Sequence, residues 1–117
     1  MLTALVSSLD DIVLQVNEEK YLINAWISKD AYLILPQADF IGKKLIDLLD
    51  NGIGIRFEKA IDQVLASFKV ETIEFLSPIQ DVWFSAKIVP IMEHQSQTRF
   101  VSILFQNINR KKRAEEA

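Results

Sequence analysis

Near the end of the chain lies a strand-like segment that is apolar on both sides: Val101, Ile103 and Phe105 alternate with Phe100, Ser102 and Leu104. Successive side chains on a strand point to opposite faces of the sheet, so apolar residues in both registers need cover above and below. Such a segment belongs inside a sheet, with helices over one face and another element or a second copy of the chain over the other. It then passes through Asn107, Ile108 and Asn109 into residues 110–117, Arg-Lys-Lys-Arg-Ala-Glu-Glu-Ala, made mostly of strong helix formers. The last strand therefore hands directly to a charged helix.

The rest of the chain supplies the partners that such a strand needs. Leu2, Leu5, Val6 and Leu9 recur at helical spacing opposite Thr3, Ser7, Ser8 and Asp10, which predicts a short amphipathic helix over residues 1–10. A helix this short is marginal alone and has to dock its apolar stripe. Residues 12–16 and 21–26 are β-rich runs around Asn17-Glu18-Glu19-Lys20, a hairpin with a four-residue turn. Between residues 27 and 49, Pro36 and Gly42 break any continuous helix into short turns, one of them capped by Asp39. Residues 53–68 carry Phe57, Ile61, Val64, Leu65 and Phe68 on one arc and Glu58, Lys59, Asp62 and Gln63 on the other, which predicts the main helix. Gly52-Ile53-Gly54 reads as a turn before it. Strands over residues 70–76, 82–91 and 99–106 complete the order. Two antiparallel strand sets around a helical insert predict an α+β layer, one sheet with helices gathered on one face.

Composition limits the function. At 117 residues, half of them hydrophobic, the chain makes one domain that buries roughly two thirds of its unfolded surface. A net charge of -3 with both signs interspersed gives no field for nucleic acid. No cysteine is present, which removes disulfides, thiolate metal sites and cysteine nucleophiles and is compatible with a reducing cytosol. No segment approaches the roughly 20 apolar residues of a membrane span, and the N-terminus lacks a signal-peptide pattern. The paired carboxylates Asp10-Asp11 and Glu115-Glu116 sit in solvated stretches rather than in a cleft. Glu71 and Glu74 read as flanking the inward face set by Ile73 and Phe75, so no acid is expected inside. Arg110-Lys111-Lys112-Arg113 is short and runs straight into two glutamates, which suits the exposed face of a linker helix better than a nucleic-acid or membrane patch.

In this order and spacing, the motifs resemble a PAS domain of bacterial sensor and signal-transduction proteins. Those that carry the resemblance are Phe40-Ile41-Gly42-Lys43-Lys44-Leu45, then Val82-Trp83-Phe84-Ser85-Ala86-Lys87-Ile88-Val89-Pro90-Ile91, and the closing Asn107-Ile108-Asn109-Arg110-Lys111-Lys112-Arg113-Ala114-Glu115-Glu116. The closing motif is similar to an Asp-Ile-Thr-Glu-Arg-Lys-Arg-Ala-Glu-Glu ending, with Asn107 and Asn109 in place of the Asp and Thr. Two more departures are Trp26-Ile27-Ser28 and Ile34-Leu35-Pro36, where the family often has an Asn and a Gly. Asn still caps a helix start through its side-chain oxygen.

The resemblance implies a five-stranded antiparallel sheet with helices on one face and an N-terminal flanking helix. It divides the chain into a sensory domain, residues 1–109, and the start of a C-terminal signalling helix, residues 110–117. It implies a cytoplasmic relay module without catalysis of its own, part of a larger protein such as a sensor histidine kinase or a diguanylate cyclase. Haem is argued against because the single histidine, His94, falls in a polar hairpin loop, and a cysteinyl-flavin adduct needs the missing cysteine. The family commonly binds small molecules between sheet and helices. Here Phe57, Ile61, Phe84, Ala86, Val101 and Ile103 either line such a pocket, with Tyr32 or Ser28 as polar anchors, or fill the core. Leu2, Leu5, Val6 and Leu9, with Trp83 and Leu104, are the expected homodimer surface. Asn107, Asn109 and Arg110 are the expected output junction to an effector domain.

Overall fold

The computed structural model describes residues 12–27, 41–49, 51–76, 83–109 and 112. Its elements are β1 (Ile12–Asn17), β2 (Leu22–Ile27), α1 (Leu45–Leu48), α2 (Asn51–Ser67), β3 (Glu71–Leu76), β4 (Trp83–Glu93) and β5 (Thr98–Asn107). All five strands join one antiparallel sheet in the order β2-β1-β5-β4-β3. The strand that is apolar in both registers is thus the central one, paired with β1 on one side and β4 on the other. The α+β class and the five-stranded sheet agree with the expectation. The flanking helix over residues 1–10 and the cap at Asp39 lie outside the described residues.

Alternation assigns the faces. On the inner face Val101, Ile103 and Phe105 of β5 are fully buried beside Val16, Leu14 and Ile12 of β1, and Ile103 and Phe105 lie beside Ile88 and Ala86 of β4. Helix α2 covers this face with Phe57, Ala60, Ile61, Val64 and Leu65. Burying a side chain of this size contributes about 1.5–3 kcal/mol, so this layer dominates the stability of the domain. Pro90 is accommodated in the middle of β4 because it lies two residues beyond Ile88, the last partner on the β3 side, where no neighbouring strand asks for its missing N–H.

The turns differ from expectation in detail. The β1–β2 loop has four residues, 18–21, one position later than expected, because Asn17 still belongs to β1 and its N–H donates to Tyr21 O (3.0 Å). Within it Lys20 takes φ 70, in the left-handed region. One residue further, β2 carries a bulge: Gln15 faces Asn24 but Val16 faces Leu22, so Ile23 is the extra residue. The bulge lets Leu22 and the part-buried Ala25 both join the core side although they are three apart.

Helix α2 starts at Asn51, so Gly52-Ile53-Gly54 is its first turn and not a preceding loop. Gly54 faces α1: a Cβ there would stand 3.0 Å from Ile46 Cγ1. The helix also ends earlier than expected. Phe68 takes φ 57 while its N–H bonds Val64 O at 2.7 Å, which turns its ring off the apolar stripe to 45 % exposure. Gly42, with φ 88, makes the corner that brings residues 42–45 alongside the start of β2. There Gly42 N donates to Leu22 O (2.7 Å), Leu22 N to Lys43 O (2.9 Å) and Leu45 N to Lys20 O (3.0 Å), which covers that part of the sheet edge.

Candidate functional site

Two places gather the residues singled out from the sequence. The first is the interior between sheet and α2. Phe57, Ile61, Phe84, Ala86, Val101 and Ile103 all lie there, each at most 1 % exposed. Tyr32 and Ser28, the suggested polar anchors, lie outside the described residues. Two aromatic residues not singled out complete the interior, Phe75 and Phe105. Their rings and those of Phe57 and Phe84 form one cluster. Phe57 meets Phe75 edge-on at 5.6 Å between centroids and Phe105 at 5.7 Å. Phe75 meets Phe84 at 6.0 Å and Phe105 at 6.1 Å. Such pairs add about 0.5–1.5 kcal/mol each beyond burial. The sequence signal was available: Phe75 shares the inward register with Ile73, and Phe105 with Ile103.

Chemically this interior is apolar. Among the described residues no buried side-chain nitrogen or oxygen lacks a partner, and none form a cluster of metal-binding type. One expectation about its edge needs correcting. Glu71 pairs with the inward-facing Ile88 and so continues the Ile73, Phe75 register, half-buried at the start of the strand. Glu74 is on the opposite register.

The second place is the end of β5, where the chain leaves the sheet. Asn107 is opposite Phe84, and its side-chain oxygen accepts the N–H of Asn109 (2.9 Å), one of the donors a helix start leaves open. Ile108 N donates to Trp83 O (2.9 Å), and Trp83 N donates to Asn109 Oδ1 (3.4 Å). Lys112 N donates to Ile108 O (3.0 Å), the first helical bond of the exit. The Lys112 ammonium then folds back, 4.7 Å from the centroid of the Trp83 ring and 2.8 Å from Glu74 Oε1. The side chains of Asn107 and Asn109 both accept hydrogen bonds in this turn, while Arg110 lies outside the described residues. Lys112, Glu74 and Trp83 meet at this turn as well. From sequence Lys112 falls in a solvated basic run and Trp83 on the expected dimer surface, because the β3–β4 pairing that unites them is not local.

The outer face of the sheet is graded rather than bare. Val13, opposite Leu104 and Trp26, is only 6 % exposed although it is outside the main core cluster. Phe100, Ser102, Leu104 and Trp83 are half-buried. Leu2, Leu5, Val6 and Leu9 lie outside the described residues.

Electrostatic ties hold α2 to the sheet at both ends. Arg56 Nη2 donates to Glu74 O (2.9 Å) near its beginning. Near its end Arg99 Nη1 donates to Leu65 O (3.0 Å) while Arg99 Nε pairs with Glu18 (3.2 Å), and Lys20 Nζ reaches Asp62 at 2.6 Å. The loop histidine, His94, is exposed in the β4–β5 turn. None of the described helices is long and apolar enough to cross a membrane.

No protein-family model matches this chain, and no curated protein matches it. Solved structures do. The PAS domain of a protein from Colwellia psychrerythraea superposes with a TM-score of 0.66 at 15 % identity, covering 93 % of this chain and 98 % of that one. A sensory box sensor histidine kinase from Vibrio cholerae gives 0.67 at 14 % identity, covering 92 % and 89 %. The PAS domain of BvgS from Bordetella pertussis gives 0.61 at 10 % identity, covering 92 % and 83 %. These likenesses extend over most of each chain, and this chain has the PAS fold.

Proposed function

We propose that this chain is a cytoplasmic sensory or signal-relay module of a larger bacterial signalling protein, a sensor histidine kinase being the favoured parent. One observation carries the reading: β5 lines the core with Val101, Ile103 and Phe105 and, two residues after Phe105, enters the junction where Asn107, Asn109 and Trp83 hold the start of the exit helix. A ligand or partner that prefers one packing of the core shifts the position of this strand end. Only differential affinity does so, and a tenfold preference between the two states corresponds to about 1.4 kcal/mol. The chain performs no catalysis in this reading. In this reading it works as a homodimer through Leu2, Leu5, Val6, Leu9, Trp83 and Leu104, the last two being partly exposed on the outer face of the single chain and so open to such a contact.

The test is Ala114→Pro in the full-length parent, since proline within the exit helix removes a backbone bond and kinks it. Kinase or cyclase output that no longer follows the stimulus is expected, and an unchanged response refutes the relay. For the dimer, removing residues 1–9 is expected to shift light scattering toward monomer or aggregate. An unaltered dimer sinks that part.

A second reading, a ligand-free dimerisation module with a filled core, is favoured by the contact among the four buried phenylalanine rings. Native mass spectrometry of the purified domain separates the two. A co-purified small molecule supports the sensory reading, and a bare polypeptide supports the filled core.

A further inference from the structure

Among the contacts of Glu74, two tie it to separate elements. Its main-chain carbonyl accepts Arg56 Nη2 from α2 at 2.9 Å, and its carboxylate lies 2.8 Å from Lys112 Nζ of the exit turn. Arg56 is the chain neighbour of Phe57, and Glu74 is the chain neighbour of Phe75, whose rings meet inside the core at 5.6 Å and 81°. Two consecutive residues of α2 thus grip two consecutive residues of β3, one pair through the core and the other at its margin. A helix moves as a rigid element over so short a stretch, so a shift of Phe57 against Phe75 carries Arg56 with it and pulls on the peptide of Glu74. On the far side of that residue Lys112 is clasped between the carboxylate and the Trp83 ring. The Lys112 and Glu74 side chains are 22 % and 34 % exposed, so the pair is shielded in part from solvent screening.

We infer that Glu74 is a positioning residue that makes the exit turn answer to α2, by a route through the edge strand β3 that bypasses the β5 backbone. Core packing then reaches the exit turn at Lys112 through the main chain of β5 and also through Arg56, Glu74 and Lys112. The value of this second path for signalling rests on the relay reading above, but the coupling itself does not.

The experiment is amide hydrogen exchange of the whole 117-residue chain, read at Lys112, whose N–H donates to Ile108 O. Glu74→Gln is expected to speed that exchange by about threefold to tenfold, the range of a partly shielded ion pair. Arg56→Ala is expected to speed it by at least about twofold although no hydrogen bond or ion pair joins Arg56 to the described residues of the exit turn, whereas Asp62→Asn, which breaks the Lys20 pair elsewhere on α2, leaves it unchanged. In the Glu74→Gln background Arg56→Ala adds nothing further, because its effect travels through the lost carboxylate. The inference is overturned if Arg56→Ala and Asp62→Asn act alike, or if the Arg56 and Glu74 effects simply multiply. Should Arg56→Ala fail to fold, Arg56→Lys, which replaces the guanidinium fork by one shorter-reaching ammonium, is read by the same criteria. An unchanged response of the Ala114→Pro parent, with this exchange pattern intact, counts against the relay reading and leaves the linkage standing.

Discussion

The Lys112 ammonium lies over the indole of Trp83, 4.7 Å from the ring centroid, joining the first turn beyond the sheet to the first residue of β4. A cation over an indole is worth about 0.5–2 kcal/mol depending on its desolvation. Lys112→Gln is expected to change the intensity and wavelength of Trp83 emission in a Trp26→Phe background, with a loss of about 1 kcal/mol or less in global stability. An unaltered emission spectrum sinks the contact.

At the start of the same turn, Asn107 accepts the Asn109 N–H. Asn107→Ala leaves that donor to water, and a lost cap costs about 0.5–2 kcal/mol. The loss should be confined to faster amide exchange at Asn109 and Lys112. Exchange in β5 that rises equally would contradict it.

Helix α2 offers a contrast between two glycines one turn apart or less. A Cβ at Gly52 would meet nothing within 4 Å, whereas at Gly54 it would lie 3.0 Å from Ile46 Cγ1 and 3.3 Å from the Ile46 main chain. Gly52→Ala should gain up to about 1 kcal/mol from helix propensity. Gly54→Ala should instead lose about 1 kcal/mol, since α1 has to move away. Urea unfolding of both variants decides, and a more stable Gly54→Ala would show that α1 does not pack there.

Arg99 binds both a carbonyl at the end of α2 and the Glu18 carboxylate. Glu18→Gln should cost less than about 0.5 kcal/mol and vanish in high salt, as exposed pairs do. Arg99→Ala should cost about 1–2 kcal/mol, largely retained in salt, because a helix carbonyl loses its donor. Equal costs for the two variants would mean that the Leu65 bond contributes nothing.

In the β4–β5 turn, Gln97 takes φ 55 and is exposed. A side chain in the left-handed region carries a steric cost of about 1 kcal/mol. Gln97→Gly should therefore raise the thermal midpoint slightly, and a lowered midpoint would show that the Gln97 side chain is itself stabilising.

What the chain settles on its own is whatever depends on local period. The alternation of Val101, Ile103 and Phe105 with Phe100, Ser102 and Leu104 placed a two-sided strand inside a sheet, and the spacing of Phe57, Ile61, Val64 and Leu65 defined the helix that covers it. The inward residues named for the interior are buried because strand and helix periods dictate their direction whatever the neighbours are. Tertiary structure decided what no short window contains. It set β5 between β1 and β4, joining the two ends of the chain. It drew Gly52-Ile53-Gly54 into α2 because α1 packs against Gly54, and it turned Phe68 away from the stripe at a left-handed helix end. It also brought Trp83, Glu74 and Lys112 together, residues from three segments whose meeting depends on the β3–β4 register. Such contacts arise from pairings between distant segments, and a charge on a helix face or a strand looks merely solvated until its partner strand is known.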